Sequence, residues 1–335
     1  MSAARPRPTI YDVAQRAGVS KSLVSLVLTG STSVSDRRRA AVLAAIEELG
    51  YTPSRAASTL AGARTRTIGI AIEDFSNLWF VELLRGAREV LEPQGYQVLV
   101  GDHPASALPG RDGLASMHVD GLILAFDPEE VPEIRHDLPY VVAGQRLNQP
   151  PGADVVTNDD EAGGRLLTEH LLGLGHVDVL HVTGRGGAAA ARRRGYESAM
   201  GAAGLDAVVV GEGGETGEAP ARDATRAHLA AGRPVTAVFA ANDAMALGAM
   251  GALREVGLAV PDDVSVAGYD DSPLAAASYL DLTTANSRSL DVGRESARIL
   301  LDRVGGAAHD PHWSLLEPTL VLRSSTAAAV RPTPR

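Results

Sequence analysis

Thr9-Ile-Tyr-Asp-Val-Ala-Gln-Arg-Ala-Gly-Val-Ser20 is the stretch on which the architecture of this chain turns. Thr9 followed three residues later by Asp12 has the spacing of a capping box. The hydroxyl accepts from a first-turn amide and the carboxylate reaches back to the cap. Ile10, Val13 and Ala14 then fall on one helical face, and Ala17-Gly18 stops the helix. Val19 reads as a buried turn residue and Ser20 as the cap of a second helix running to Leu28. There Leu23, Val24, Val27 and Leu28 share one face, while Lys21, Ser22, Ser25, Leu26 and Thr29 share the other. A third helix starts at Ser35 as cap, carries Val42, Leu43, Ile46 and Leu49 as its buried stripe, and ends at Gly50. Three short helices with a glycine turn between the first two predict a helix-turn-helix whose second helix enters the major groove. A plain three-helix bundle shares the pattern and is the alternative.

The charge distribution points the same way. The 335 residues carry a net charge of −10, which taken alone disfavours a nucleic-acid partner. Residues 1–66, however, hold ten Lys or Arg against four Asp or Glu, a surplus of +6, so the remainder carries −16. A basic head on an acidic body suits one end to a polyanion while the other repels it. A basic disordered tail is the bland alternative. There is no cysteine, which excludes disulfides, thiolate metal sites and cysteine nucleophiles and fits a cytoplasmic protein. No stretch approaches the roughly 20 apolar residues of a membrane span. The basic start, Met1 to Pro8, has no apolar segment behind it, so no secretory signal is expected.

Thr9 to Ser20, Leu23-Val-Ser25, Val34-Ser35 and Ala44-Ala-Ile-Glu-Glu-Leu-Gly-Tyr51 together resemble the head of the lactose-repressor (LacI/GalR) family. The resemblance implies that Lys21, Ser22 and Leu26 read bases, and that Tyr11, Ser20 and Ser25 hold phosphates, which position without specifying sequence. Lysine can donate to guanine O6 and N7. Leu26 departs from the family, which usually has Arg or His there; a leucine donates nothing and can meet only a thymine methyl. Ser54 to Gly62 resembles the family's hinge helix, with Leu60 as a minor-groove wedge and Arg55 and Ala57 lining the groove. Eight residues are too few for a stable isolated helix, so a fraying linker is the alternative.

From Ile68 the chain alternates short β-branched runs with helical stretches. Strands are expected at 68–72, 97–100, 121–124, 140–142, 154–157, 179–182, 207–210, 237–240 and 265–268, with helices such as 80–91, 162–174, 192–203 and 244–256 between them. Such alternation means parallel sheets, here two doubly wound α/β lobes, with ligands beyond the carboxyl ends of the strands. His170-Leu-Leu-Gly-Leu-Gly-His176, Ala241 to Ala249, Val266 to Asp271 and Glu317 to Arg323 are similar to the same family's bilobed sensor, itself similar to periplasmic sugar-binding proteins. The resemblance implies a head over 1–52, a hinge over 53–66 and a core over 67–335. Its N-lobe would take about 67–160 and 288–316, and its C-lobe about 161–287 and 317–330. Effector contacts are then expected from Asp74, Trp79, Arg192, Asn242 and Asp270. Turn or capping work is the plain alternative for Asn242 and Asp270. The family often has an aromatic where Glu215 falls and Asp where Gly144 falls.

Thr183-Gly-Arg-Gly-Gly-Ala-Ala189 contains the G-x-G-x-x-A spacing of a nucleotide-binding turn, with Glu212 as an acid after the next strand. It lies mid-chain rather than opening a first βαβ unit, and an NAD-dependent oxidoreductase would leave the head unexplained. No HExxH, GxSxG or Walker motif occurs and the histidines are scattered, so neither enzyme chemistry, a metal nor a cofactor is expected. A solute-binding protein without a DNA role is the other class. The resulting expectation is a homodimeric repressor on a palindromic operator. It would be relieved by a small effector, a sugar, with a nucleobase-type corepressor as the alternative.

Overall fold

The computed structural model describes residues 8–28, 31, 33–51, 65–73, 75–101, 118–127, 134, 137–308 and 310–329. The chain divides into two compact units, Met1–Thr67 and Ile68–Arg335.

The first unit holds helices α1 (Ile10–Ala17), α2 (Lys21–Leu28) and α3 (Asp36–Leu49). The capping box is present: the Thr9 hydroxyl accepts from the Asp12 amide, and Asp12 Oδ2 accepts from the Thr9 amide at 2.7 Å. Gly18 and Gly50 both adopt left-handed backbone (φ 64° and 62°), which ends α1 and α3 as a C-terminal glycine does. Val13, Ala14, Val24, Val27, Val34, Val42, Ala45 and Tyr51 form the core, with Val19 half-buried against it. A bidentate Arg16–Glu48 pair, with contacts of 3.0 and 2.5 Å, ties α1 to α3.

Two readings of α3 need correction. Ser35 stands at the cap, but its hydroxyl makes no capping bond. Leu43 is 52% exposed rather than in the buried stripe. The packed face runs Val42, Ala45, Ile46, Leu49, and one residue beyond Val42 lies about 100° round the helix.

The second unit contains two six-stranded sheets, so the doubly wound α/β class is present. In the first sheet the order is β11-β5-β4-β3-β1-β2, from β1 (Thr67–Ile72), β2 (Gln97–Gly101), β3 (Gly121–Ala125), β4 (Tyr140–Ala143), β5 (Asp154–Asn158) and β11 (Trp313–Leu316). In the second it is β12-β10-β9-β8-β6-β7, from β6 (Val179–Val182), β7 (Val208–Val210), β8 (Ala237–Ala240), β9 (Ser265–Asp270), β10 (Thr283–Asn286) and β12 (Thr319–Val321). The β11–β5, β5–β4, β4–β3 and β3–β1 pairings of the first sheet and the β10–β9, β9–β8, β8–β6 and β6–β7 pairings of the second are parallel, and β10 with β12 is antiparallel.

Alternation along each strand sends successive residues to opposite faces. Ile68, Ile70 and Ile72 pack under α4 (Leu78–Leu91) and α9 (Ser289–Val304), while Ala71 joins Leu122, Leu124 and Phe126 on the other side. In the second sheet Val179, Phe239 and Tyr269 meet α5 (Asp160–Gly173) and α6 (Gly187–Ala202). Leu180, Val238 and Val266 share a core with α8 (Asp243–Glu255) and with Ala221 of α7 (Glu218–Ala230). Close backbone approach accompanies helix pairing: a Cβ on Gly293 of α9 would stand 2.1 Å from the Leu83 carbonyl of α4.

The polypeptide passes between the sheets three times: after β5 at Asp159, between β10 and α9, and between β11 and β12. In each sheet the strand order reverses next to one strand, β1 in the first and β6 in the second. The turns after β1, β3, β6 and β8 therefore open outward at topological switch points.

Candidate functional site

Those turns line one cleft, which holds about 630 Å³ open to solvent. Trp79, Arg192, Asn242 and Asp270, four of the residues singled out in the sequence, all line it. Asp74, the fifth, lies outside the described residues. So do Arg55, Ala57 and Leu60 of the hinge, and Thr29.

Arg192 is the centre of the cleft floor. It comes from the second turn of α6, and its side chain is 8% exposed. Its guanidinium donates from Nε to Asp160 Oδ1 (2.7 Å), from Nη1 to the Ala241 carbonyl (2.6 Å) and from Nη2 to Asp270 Oδ1 (3.3 Å). It also lies 3.7 Å from the centre of the Tyr269 ring, a cation–π contact. Asn158 donates both to Asp160 Oδ1 and to the Tyr269 hydroxyl, 3.0 Å each. This leaves Asp160 Oδ2 buried with no hydrogen-bond partner, and the Trp79 indole N–H is in the same condition. Unpaired buried polar atoms are costly, so a cleft that keeps an acceptor and a donor open is fitted to polar ligand groups.

One guanidinium shared by two carboxylates has an electrostatic consequence. Burial pushes the Asp270 carboxyl up to about 8, with Arg192 pulling the other way and the charges of Asp243 and Asp160 adding to the rise. Burial works against the Arg192 charge, but Asp160 and Asp270 more than offset it and hold the guanidinium ionised. The shorter contact to Asp160 carries the ion pair, and Asp270 is the partner driven toward its neutral form. Asp243 is likewise raised to about 6 by burial, although it accepts from the Ser272 amide (2.8 Å) and the Thr284 hydroxyl (2.7 Å). Asp270 also has φ 110°, a conformation that strains a residue with a Cβ and marks many functional sites. Asn242 does serve as a cap, its Oδ1 accepting from the Met245 amide at 2.8 Å, while its side chain borders the cleft.

Several wall residues escaped the sequence reading. Asp160 and Asn158 sit at the first crossing between sheets, where no periodic pattern marks them. Asp127 follows β3 and accepts from the Leu147 amide (2.6 Å) and the Gly187 amide (3.0 Å). Arg146 folds back to donate to the Ala143 carbonyl from Nε (3.0 Å) and Nη2 (2.7 Å), and lies 5.4 Å from the Trp79 ring. That placement explains Gly144. A Cβ there would stand 2.7 Å from Arg146 Nη2 and 3.1 Å from Trp79, on a backbone with φ 83°. The space an aspartate side chain would need is taken by Arg146. Glu215 is exposed, and its neighbour Thr216 reaches the cleft instead. Glu212 pairs with Arg193, an interaction that accounts for this acid without a ribose.

In the head, Tyr11, Ser20, Lys21, Ser22 and Leu26 are exposed and Ser25 is half-buried. Lys21 Nζ donates to the Tyr11 hydroxyl at 3.3 Å and lies 4.9 Å from its ring centre, so the first residue of α2 is steadied by α1. The Ser20 hydroxyl accepts from the Leu23 amide at 3.3 Å, the capping role read from the sequence. No helix among the described residues is long and apolar enough to cross a membrane.

Residues 9–54 match the model of bacterial regulatory proteins of the lacI family, and residues 168–326 match a periplasmic binding protein-like domain. The chain is 36% identical to the HTH-type transcriptional regulator CelR of Thermobifida fusca, over 96% of this chain and 99% of that one. It is 35% identical to the HTH-type transcriptional repressor PurR of Vibrio campbellii, over 95% and 98%. Among solved structures, the lac repressor dimer bound to operator and an anti-inducer superposes with a TM-score of 0.76 at 28% identity, covering 96% of this chain and 100% of that one. A CelR–cellobiose complex gives a TM-score of 0.67 at 33% identity, over 95% and 100%. With a helix-turn-helix, a bilobed sensor and kinship along nearly its whole length, this chain belongs to the lacI family of bacterial regulatory proteins and is a DNA-binding transcriptional regulator with a small-molecule effector.

Proposed function

We propose that the protein is a cytoplasmic repressor that binds a palindromic operator as a homodimer and releases it when a sugar occupies the cleft. The observation that carries the effector reading is the Arg192–Asp160–Asp270 cluster with its open Asp160 oxygen. Adjacent hydroxyls of a sugar supply both the donor that Asp160 lacks and acceptors for the guanidinium, while the Trp79 ring offers an apolar wall. Solved relatives carrying cellobiose and ribose support the class. In this reading Asp74, Trp79, Arg192, Asn242 and Asp270 contact the effector.

On DNA, Lys21, Ser22 and Leu26 would face bases, and Tyr11, Ser20 and Ser25 would face phosphates. The segment 53–66 would act as the hinge between a head over 1–52 and a core over 67–335. Arg55 and Ala57 would then lie in the minor groove with Leu60 as wedge. Within the core we divide the lobes at about 160, 288 and 317. Two half-sites require two heads, and the core offers a surface for pairing that mixes apolar and charged side chains. That surface is a groove in which Leu247, Met250, Leu258 and Tyr279, the last 84% exposed, lie beside the charged Glu218, Arg222, Arg254 and Glu255.

Fluorescence anisotropy on a palindrome from the protein's own promoter region, across salt and a panel of sugars that includes cellobiose and ribose, tests the proposal. Salt-sensitive, sequence-specific binding released by one sugar is the expected result. Specific binding that no sugar alters would overturn the effector class, and absence of specific binding would overturn the operator reading.

A further inference from the structure

The turn Gly184-Arg-Gly-Gly187 has the spacing of a nucleotide-binding loop, yet Gly186 and Gly187 face the opposite lobe, while Gly184 packs against Thr216 of its own. We propose that Asp127 together with Gly186 and Gly187 forms a latch that holds the two lobes closed across the cleft. Asp127 stands at the end of β3 in the first lobe, and Gly187 opens α6 in the second. Oδ2 of Asp127 accepts from the Gly187 amide at 3.0 Å, while Oδ1 accepts from the Leu147 amide of its own lobe at 2.6 Å. A carboxylate against a helix N-terminus meets both unsatisfied amides and the positive end of the helix dipole. The N-cap of α6 is Gly186, which has no side chain to offer, and Asp127 supplies a carboxylate from across the cleft. Arg146 Nη1, 3.8 Å from Asp127 Oδ2, adds a second charge attraction on the same carboxylate.

The glycines make this contact sterically possible. A Cβ on Gly186 would stand 2.8 Å from Asp127 Oδ2. One on Gly187 would stand 2.7 Å from the Arg146 carbonyl carbon and 2.8 Å from the Gln145 oxygen, backbone atoms that cannot swing aside. Gly187 does not need its glycine for its own helix: its φ is not positive, and alanine suits a first helical turn better than glycine does. Gly187 therefore serves the approach of the other lobe, while Gly186, at φ 101°, needs glycine for its own backbone as well. The neighbouring cross-cleft pair, Arg185–Glu73 at 3.7 Å, is largely exposed on the arginine side and holds little. With the latch released, the three crossings between the sheets act as hinges, and the lobes separate. The consequence for regulation rests on the cleft being the effector site. The latch itself does not.

The cysteine-free sequence allows a direct test. Cysteines placed at the exposed residues Glu169 on α5 and Arg298 on α9 carry spin labels on opposite lobes. Dilution with unlabelled chain keeps each measured pair within one molecule. Double electron–electron resonance is then recorded without any effector. Gly187→Ala and Asp127→Ala are each expected to lengthen and broaden the inter-lobe distance distribution, with no further shift in the double variant. Asp127→Asn, which keeps one acceptor for two amides, shifts it in the same direction and replaces Asp127→Ala should that variant not fold. An unchanged distribution for Gly187→Ala, or for the Asp127 variant, overturns the latch. Since no sugar is present, this result stands or falls apart from the sugar reading.

Discussion

Arg192 binds two carboxylates at once, and this defines what its loss does. Arg192→Ala leaves Asp160 buried without its cation and Asp270 without its donor, and breaking a buried pair in this way costs about 3–5 kcal/mol. A lower melting temperature of the sensor and loss of the effector response are expected together, measured by calorimetry and by operator release. Arg192→Lys restores one charge but not the fork that reaches Asp160, Asp270 and the Ala241 carbonyl, so it rescues little. Asp270 makes the stability of the sensor depend on pH. Its folded value of about 8 lies above the ordinary 3.8, so its contribution to stability is full below 3.8 and is lost as pH rises through 8. His181, stacked on Tyr196, tilted against Phe239 and lowered by burial to about 3, contributes above 6.5 and loses that contribution as pH falls toward 3. Between pH 6.5 and 8 the Asp270 effect acts without opposition from His181. The sensor should lose up to about 1.4 kcal/mol per pH unit there. Asp270→Asn should flatten that slope in thermal melts, and an unaltered slope would count against a buried, largely neutral Asp270.

Helices and strands separate cleanly into what local sequence determines and what it does not. Thr9 and Asp12 were legible because a capping box is closed within four residues, and β6 and β8 because short apolar runs bounded by loops have one reading. Leu43 was misplaced because apolar residues at 42 and 43 allow two stripes, and only contact with α1 chooses between them. The cleft was half legible. Arg192, Trp79, Asn242 and Asp270 lie in or beside stretches that resemble known relatives or stand out by residue type. Asp127 and Asp160 acquire their roles from partners 60 and 32 positions away, and Arg146 from the distant Trp79 ring, so their meaning depends on the folded backbone. Close helix pairing was hidden for the same reason. Gly293→Ala would force a methyl group to within 2.1 Å of the Leu83 carbonyl and push α9 off α4. Overpacking of this kind costs about 1–3 kcal/mol. Chemical denaturation should show that loss in the sensor transition.

Across the whole molecule, charge is divided unevenly between head and sensor. The surplus of +6 in residues 1–66 against −16 beyond them keeps the sensor from competing with the head for the polyanion. Pairing of two chains through the Leu247, Met250, Leu258 and Tyr279 groove would set the spacing of the heads. Tyr279→Asp places a charge among the apolar side chains of that groove and is expected to shift the protein toward monomer in analytical ultracentrifugation and to weaken operator binding. A dimer of unchanged affinity would move the interface elsewhere. The threefold passage of the chain between the sheets has a consequence of another kind. A single protease cut in any one connection leaves the lobes joined by the other two, and the two fragments remain associated through the strands they share in one sheet. Neither lobe corresponds to a continuous gene fragment, and no terminal truncation can deliver one lobe without part of the other.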